Sequence, residues 1–139
     1  APVGGGGLIS GTSIAATETK RGSRVIAAEP EMADDAFRSI QVGKIIPSEN
    51  PNTIADGLLT SLGTLTFPII QERVEQVVTV SESAMIESMK FIWERAKIII
   101  EPSSATVIAV LCEKKIDLSG LNVGVILSGG NVDLGKLYW

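Results

Sequence analysis

Apolar residues in this chain come in short bursts separated by one-sided helical stretches, and that alternation leaves few folds open. The longest bursts, around residues 98–100 and 107–112, fall far short of the roughly 18 residues that suggest a membrane span. Buried parallel strands and one-sided helices account for the 45% apolar content better, because such strands are covered on both faces. The pattern predicts an α/β protein.

The order of the segments supports this. After a glycine run, residues 8–20 suit a helix packed on a core, with Leu8, Ile9, Ile14, Ala15 and Ala16 among its apolar residues and Gly11 placed for close backbone packing. Residues 24–29 read as a short buried strand with an acid at its end, and residues 33–42 as a helix. The pattern is lost over residues 43–62, a functional loop or an unrecognised short helix. A helix over 66–73 and a strand over 77–80 follow. Ser81 can cap the next helix, whose Met85, Met89, Ile92 or Trp93, Ala96 and Ile99 recur at helical spacing as core packing. Pro102 restarts the helix after Glu101, and Ala105, Ile108, Ala109 and Cys112 form its buried stripe. Residues 123–127 complete the set as a last strand. Crossovers of this kind imply a mostly parallel sheet with ligand loops at the strand C-terminal ends.

Composition removes whole classes of function. There is no histidine, which excludes a Ser-His-Asp triad and a His-containing zinc site within this chain. The single cysteine, Cys112, excludes an intrachain disulfide and fits a reducing, cytoplasmic setting. A net charge of −4 and 4% aromatic content argue against a nucleic-acid partner. Neither a membrane span nor a signal peptide is expected.

Three clusters can carry chemistry. Gly4, Gly5, Gly6 and Gly7 precede a helix, so successive amides can turn inward and the helix dipole adds to them, which suits a phosphate monoester. A flexible N-terminus is the alternative. Ser128, Gly129, Gly130 and Asn131 follow a buried run; the Ser128 hydroxyl can meet a ring nitrogen while the glycines admit a planar group, or the segment is a plain turn. Glu29, Asp34 and Asp35 crowd carboxylates past a strand end. Glu29, Asp35 and intervening carbonyls suit Mg²⁺ or Ca²⁺, and a solvated helix start is the rival.

The ordered motifs APVGGGGLISG, VIAAEPEMADD, TIADGL, WERAKIIIEPSSA and VILSGGNVDL resemble the serine racemase and serine/threonine dehydratase family, pyridoxal-phosphate (PLP) enzymes of the tryptophan-synthase β fold (fold type II). The resemblance covers essentially the whole chain and is strongest to the short serine racemase and hydroxyaspartate dehydratase group. It implies that Gly4, Gly5, Gly6 and Gly7 cradle the cofactor phosphate and that Ser128 faces the pyridine nitrogen. It places Glu101 near the cofactor and Gly57 in the segment bordering it. It also implies that Glu29, Asp35 and the carbonyl of Ala33 hold a structural divalent cation (Mg²⁺, Ca²⁺ or Mn²⁺). Some animal racemases bind ATP near a dimer interface, and Asn131 falls in the matching segment; ATP binding is not asserted on that ground.

The same resemblance implies what lies outside this chain. Family chains are much longer, and their Schiff-base lysine lies upstream of the tetraglycine loop. Lys20, Lys44, Lys90, Lys97, Lys114, Lys115 and Lys136 do not occupy that motif. Residues 1–139 are therefore expected to form the C-terminal part of the PLP-binding large domain, inactive alone and homodimeric when complete. The expected chemistry is α-proton abstraction from a small hydroxy amino acid, with β-elimination of water, racemisation, or both. A non-catalytic phosphate-binding module and a bare structural α/β domain are the competing expectations.

Overall fold

The computed structural model describes all 139 residues. Two strands, β1 (Ile26–Pro30) and β2 (Gln76–Val80), pair in parallel with Ile26 opposite Gln76 and Pro30 opposite Val80. The chain start lies along the other edge of β1. The Val3 amide donates to the Ala28 carbonyl at 2.9 Å, and the Ala28 amide donates to the Ala1 carbonyl at 3.0 Å.

Side chains alternate across this small sheet, as the two-residue period of a strand requires. Val25, Ala27 and Val77 join one buried cluster with Val3, Ile9, Ala36 and Ile70. Ala28, Val78 and Val80 join another with Met85, Val107 and Ala109. The first cluster is covered by helices α1 (Gly7–Thr19), α2 (Asp35–Val42) and α3 (Thr66–Arg73). The second lies under α4 (Glu82–Ala96) and α5 (Pro102–Cys112), which pack against each other. Helices on both faces of a parallel pair make the predicted α/β layering.

Local signals explain several boundaries. Ser81 caps α4 by accepting from the Ala84 amide at 3.2 Å, and Pro102 opens α5. Gly43, at φ 76°, ends α2 in the left-handed conformation that glycine adopts without strain. The irregular stretch 43–62 contains one short 3-10 turn, Asp56–Leu58.

The structure corrects four expectations. Residues 123–127 form no strand: the segment has no neighbour to complete a ladder, and β1 already has β2 on one edge and Ala1 to Val3 on the other. Val125 and Leu127 pack half-buried on the core instead, across an apolar groove of about 740 Å³ that separates the segment from β1. Cys112 is exposed rather than buried, its Sγ accepting from the Ser88 hydroxyl at 3.5 Å. The α4 stripe stops at Met89, Ile92 and Trp93; Lys97 takes a left-handed conformation, leaving Ala96 and Ile99 exposed. In α1 the buried face is Ile9, Ser10 and Ser13, while Leu8, Gly11 and Ile14 point outward. Ser13 donates to the Ser10 carbonyl at 2.9 Å, which lets a small polar residue sit in the interface.

Candidate cofactor cleft

Gly4 follows the edge segment at its C-terminal end, and the chain turns through Gly6 into α1. Gly6 has φ 89°, a left-handed backbone, and a Cβ there would lie 2.6 Å from Thr66 Oγ1 and 2.8 Å from Ile70 Cδ1. Only glycine fits both constraints. The Gly6 carbonyl accepts from the Ser10 amide at 3.0 Å, and the Gly5 carbonyl accepts from the Gly63 amide at 3.1 Å. The amides of Gly4, Gly5 and Gly6 have no acceptor within the fold. Unpaired donors at a helix start are what a phosphate group requires.

A cleft of about 210 Å³ lies against this turn. Gly4, Gly5, Gly6, Gly7, Gly57, Glu101 and Ser128 all line it, so every residue the sequence assigned to a cofactor falls in one space. The remaining wall is Pro2, Leu8, Leu58 and Ser103. The N-terminal glycine run and Ser128 therefore line a single cavity.

Glu101 organises the far wall. Its amide donates to the Gly129 carbonyl at 3.0 Å, and its Oε2 accepts from the Asn131 amide at 2.9 Å. The loop carrying Ser128 is thereby held on the first turn of α5. The Gly57 amide donates to Ser103 Oγ at 3.0 Å and to Asp56 Oδ1 at 2.9 Å, which joins the 3-10 turn to the same helix start. A Cβ on Gly57 would stand 2.9 Å from Ser103 Oγ. Sequence reasoning missed Ser103 in this wall and Thr66 behind it; Ser103 stood in plain view inside WERAKIIIEPSSA, two positions after Glu101.

The acidic cluster is a separate site. Glu29, at the end of β1, is 1% exposed; its Oε1 accepts from the Ala36 amide and its Oε2 from the Phe37 amide, each at 2.9 Å. Asp35 is equally buried and its Oδ2 accepts from the Leu62 amide at 3.1 Å. Burial pushes the Glu29 carboxyl up to about 8, opposed by the Phe37 and Ala36 amides and reinforced by Asp35 and Asp34. Burial likewise raises the Asp35 carboxyl against the Leu62 amide. Because Glu29 captures the Phe37 amide, the Ala33 carbonyl has no helical donor. Two buried carboxylates and a free carbonyl within seven residues are hard oxygen donors of the kind a divalent cation takes. No group of three or more His, Cys, Asp or Glu side chains converges, so backbone oxygens are needed to complete such a site.

A parallel sheet covered on both faces, with a glycine-lined cleft beside it, is the arrangement of an α/β protein that binds its ligand in the loops at the strand ends. Residues 1–129 match the family described as pyridoxal-phosphate dependent enzyme, and the chain belongs to that family. It is 47% identical over 139 residues to a beta-hydroxyaspartate dehydratase of Paracoccus denitrificans (strain Pd 1222), covering 100% of this chain and 44% of that protein. It is 52% identical over 141 residues to a serine racemase of Dictyostelium discoideum, covering 98% and 43% respectively. The crystal structure of a T.th. threonine deaminase superposes with a TM-score of 0.90 and 41% identity, over 98% of this chain and 50% of that one. The fold is accordingly that of the type II PLP enzymes, in part. The chain spans less than half the length of the curated relatives it matches. No helix is long and apolar enough to cross a membrane.

Proposed function

We propose that this chain is the C-terminal part of the large domain of a PLP-dependent enzyme acting on a small hydroxy amino acid, by elimination of water and ammonia, by racemisation, or by both. The observation that carries this reading is the convergence of the unpaired glycine amides, Gly57, Glu101 and Ser128 on one cleft. When bound, PLP supplies an electron sink that stabilises a carbanion at the substrate α-carbon.

The residues of this chain then have separate tasks. The amides of Gly4, Gly5 and Gly6, with the start of α1, hold the phosphate. Ser128 presents a neutral hydroxyl to the pyridine nitrogen, which does not enforce ring protonation as a carboxylate does. Glu101 fixes the loop bearing Ser128. The lysine that anchors the cofactor and moves the α-proton belongs to the part of the enzyme beyond this chain. The names of the relatives support serine, threonine and 3-hydroxyaspartate as the substrate class. The test is cofactor titration of the complete enzyme, followed by assay of oxo acid, ammonia and inverted amino acid from each of the three. Absence of a visible cofactor band, or a band with no product from any of them, overturns the reading.

We also propose that Glu29, Asp35 and the Ala33 carbonyl bind Mg²⁺, Ca²⁺ or Mn²⁺ as a structural ion. Its support is the pair of buried carboxylates beside a carbonyl left without a donor. Such an ion stabilises the fold by mass action without touching the cofactor.

A further inference from the structure

A run of four glycines has no side chains with which to fix its own peptide planes, and glycine loses more conformational freedom on ordering than any other residue. Something outside the run must decide which way its amides point. Thr66, the first residue of α3, stands against it. Its Oγ1 donates to the Gly5 carbonyl at 2.7 Å and accepts from the Gly63 amide at 3.1 Å. The Gly63 amide also reaches the Gly5 carbonyl at 3.1 Å, so that oxygen receives two donors.

No peptide bond in the chain is cis. In a planar trans peptide the N–H of one residue points opposite to the C=O before it. Tying the Gly5 carbonyl to Thr66 and Gly63, neither of which lines the cleft, therefore turns the Gly6 amide the other way, into the cleft. A Cβ on Gly6 would stand 2.7 Å from Thr66 Cβ, so the two residues are packed as closely as glycine allows.

We infer that Thr66 is a positioning residue for the phosphate cradle: its hydroxyl sets the Gly5–Gly6 peptide plane and so aims the Gly6 amide at the bound phosphate. The inference rests on the proposed phosphate-holding role of the glycine run. Thr66 itself does not line the cleft.

The test uses the complete enzyme with Thr66→Val, which keeps the shape and removes the hydroxyl, and Thr66→Ser, which keeps the hydroxyl. The dissociation constant for PLP is read by absorbance titration, and the bound phosphate by its phosphorus-31 resonance. Thr66→Val is expected to weaken PLP binding roughly fivefold to tenfold and to shift the phosphorus resonance, as loss of one aimed hydrogen bond implies. Thr66→Ser should return the constant to within about twofold of the parent and restore the resonance. Equal binding by Thr66→Val, an unmoved resonance, or failure of Thr66→Ser to restore either one overturns the inference. Should Thr66→Val not fold, Thr66→Ala carries the same comparison. A parent enzyme that binds no PLP overturns the functional reading together with this one, and that outcome is visible before any variant is made.

Discussion

Glu101 and Asn131, thirty positions apart, meet where Oε2 of the first accepts the amide of the second at 2.9 Å. The same glutamate donates its own amide to the Gly129 carbonyl, so one residue at the start of α5 holds the chain at two points just after Ser128. A hydrogen bond to a charged group contributes on the order of 1.5–3 kcal/mol. Glu101→Ala in the complete enzyme should therefore lower kcat roughly tenfold or more, because the loop loses its side-chain anchor and keeps only the backbone bond at Gly129, while the phosphate cradle is untouched. Glu101→Gln keeps an acceptor in place and should recover much of that loss. Steady-state kinetics beside PLP titration separates the two effects; a Glu101→Ala variant with parental kcat removes the loop-holding role.

Ser128 is the other half of that relationship. With the hydroxyl gone, the cleft keeps its glycine amides and its volume, so the cofactor phosphate still has its donors. Ser128→Ala is expected to reduce turnover more than cofactor occupancy, the two being read from kcat and from the absorbance titration. Unchanged kcat would count against a role at the pyridine nitrogen.

Much of this geometry was legible beforehand, for identifiable reasons. The glycine run and Ser128 stand beside apolar bursts, where parallel α/β topology gathers loops, whereas Glu101 and Gly57 are reached only through the motifs that resemble the family. Ser81 and Pro102 announced their helices through capping chemistry that is local in the chain. What stayed hidden depends on partners distant in sequence. Thr66 reaches Gly5 across sixty-one positions and Ser103 reaches Gly57 across forty-six, and neither residue type is unusual at a helix start. Residues 123–127 look like a strand on composition, yet a strand exists only beside another strand, and no neighbour pairs with them.

Gly6 offers a stability test. Its φ of 89° and the 2.6 Å approach of Thr66 Oγ1 to an added Cβ act together. The left-handed backbone costs a non-glycine residue about 1–2 kcal/mol, and forced repacking adds about 1–3 kcal/mol. Gly6→Ala should lose about 2–5 kcal/mol in urea unfolding of the cofactor-free enzyme. A loss below about 1 kcal/mol would mean that the turn relaxes without strain.

Arg24 and Glu75 form a two-pronged ion pair at the start of the two strands, with Nε and Nη2 each 2.6 Å from a carboxylate oxygen. The hydrogen bonds from Arg24 hold the Glu75 carboxyl below its ordinary range. A carboxyl depressed in the folded state lends stability above its unfolded pKa, and that contribution disappears as pH falls through the folded value. The pair is solvent-exposed, so salt screens it and the effect on stability is small. Arg24→Gln should move the Glu75 titration midpoint upward in carbon-13 NMR and remove its salt dependence. A midpoint that stays in place would show that the pair does not persist in solution.

The acidic site separates a bound cation from a merely buried pair of acids. Glu29 and Asp35 are both about 1% exposed, and the charge of Asp35 adds to the proton affinity of Glu29, a repulsion that a divalent ion would relieve. Mg²⁺, Ca²⁺ or Mn²⁺ should raise the Tm of chelator-treated enzyme, with about 2.7 kcal/mol of stabilisation when the ion is at about 100 times its Kd. Glu29→Gln keeps an oxygen and the shape but removes a charge, and should abolish most of that rise. In chelator, the parent should lose stability relative to Glu29→Gln as pH rises toward about 8, because its buried carboxyl must ionise and the amide does not, whereas the variant leaves one of the Ala36 and Phe37 amides without its acceptor at every pH. An equal rise in Glu29→Gln would place the ion elsewhere on the protein, and no rise in the parent would leave Glu29 as a cap on the first turn of α2, its two oxygens held by the Ala36 and Phe37 amides.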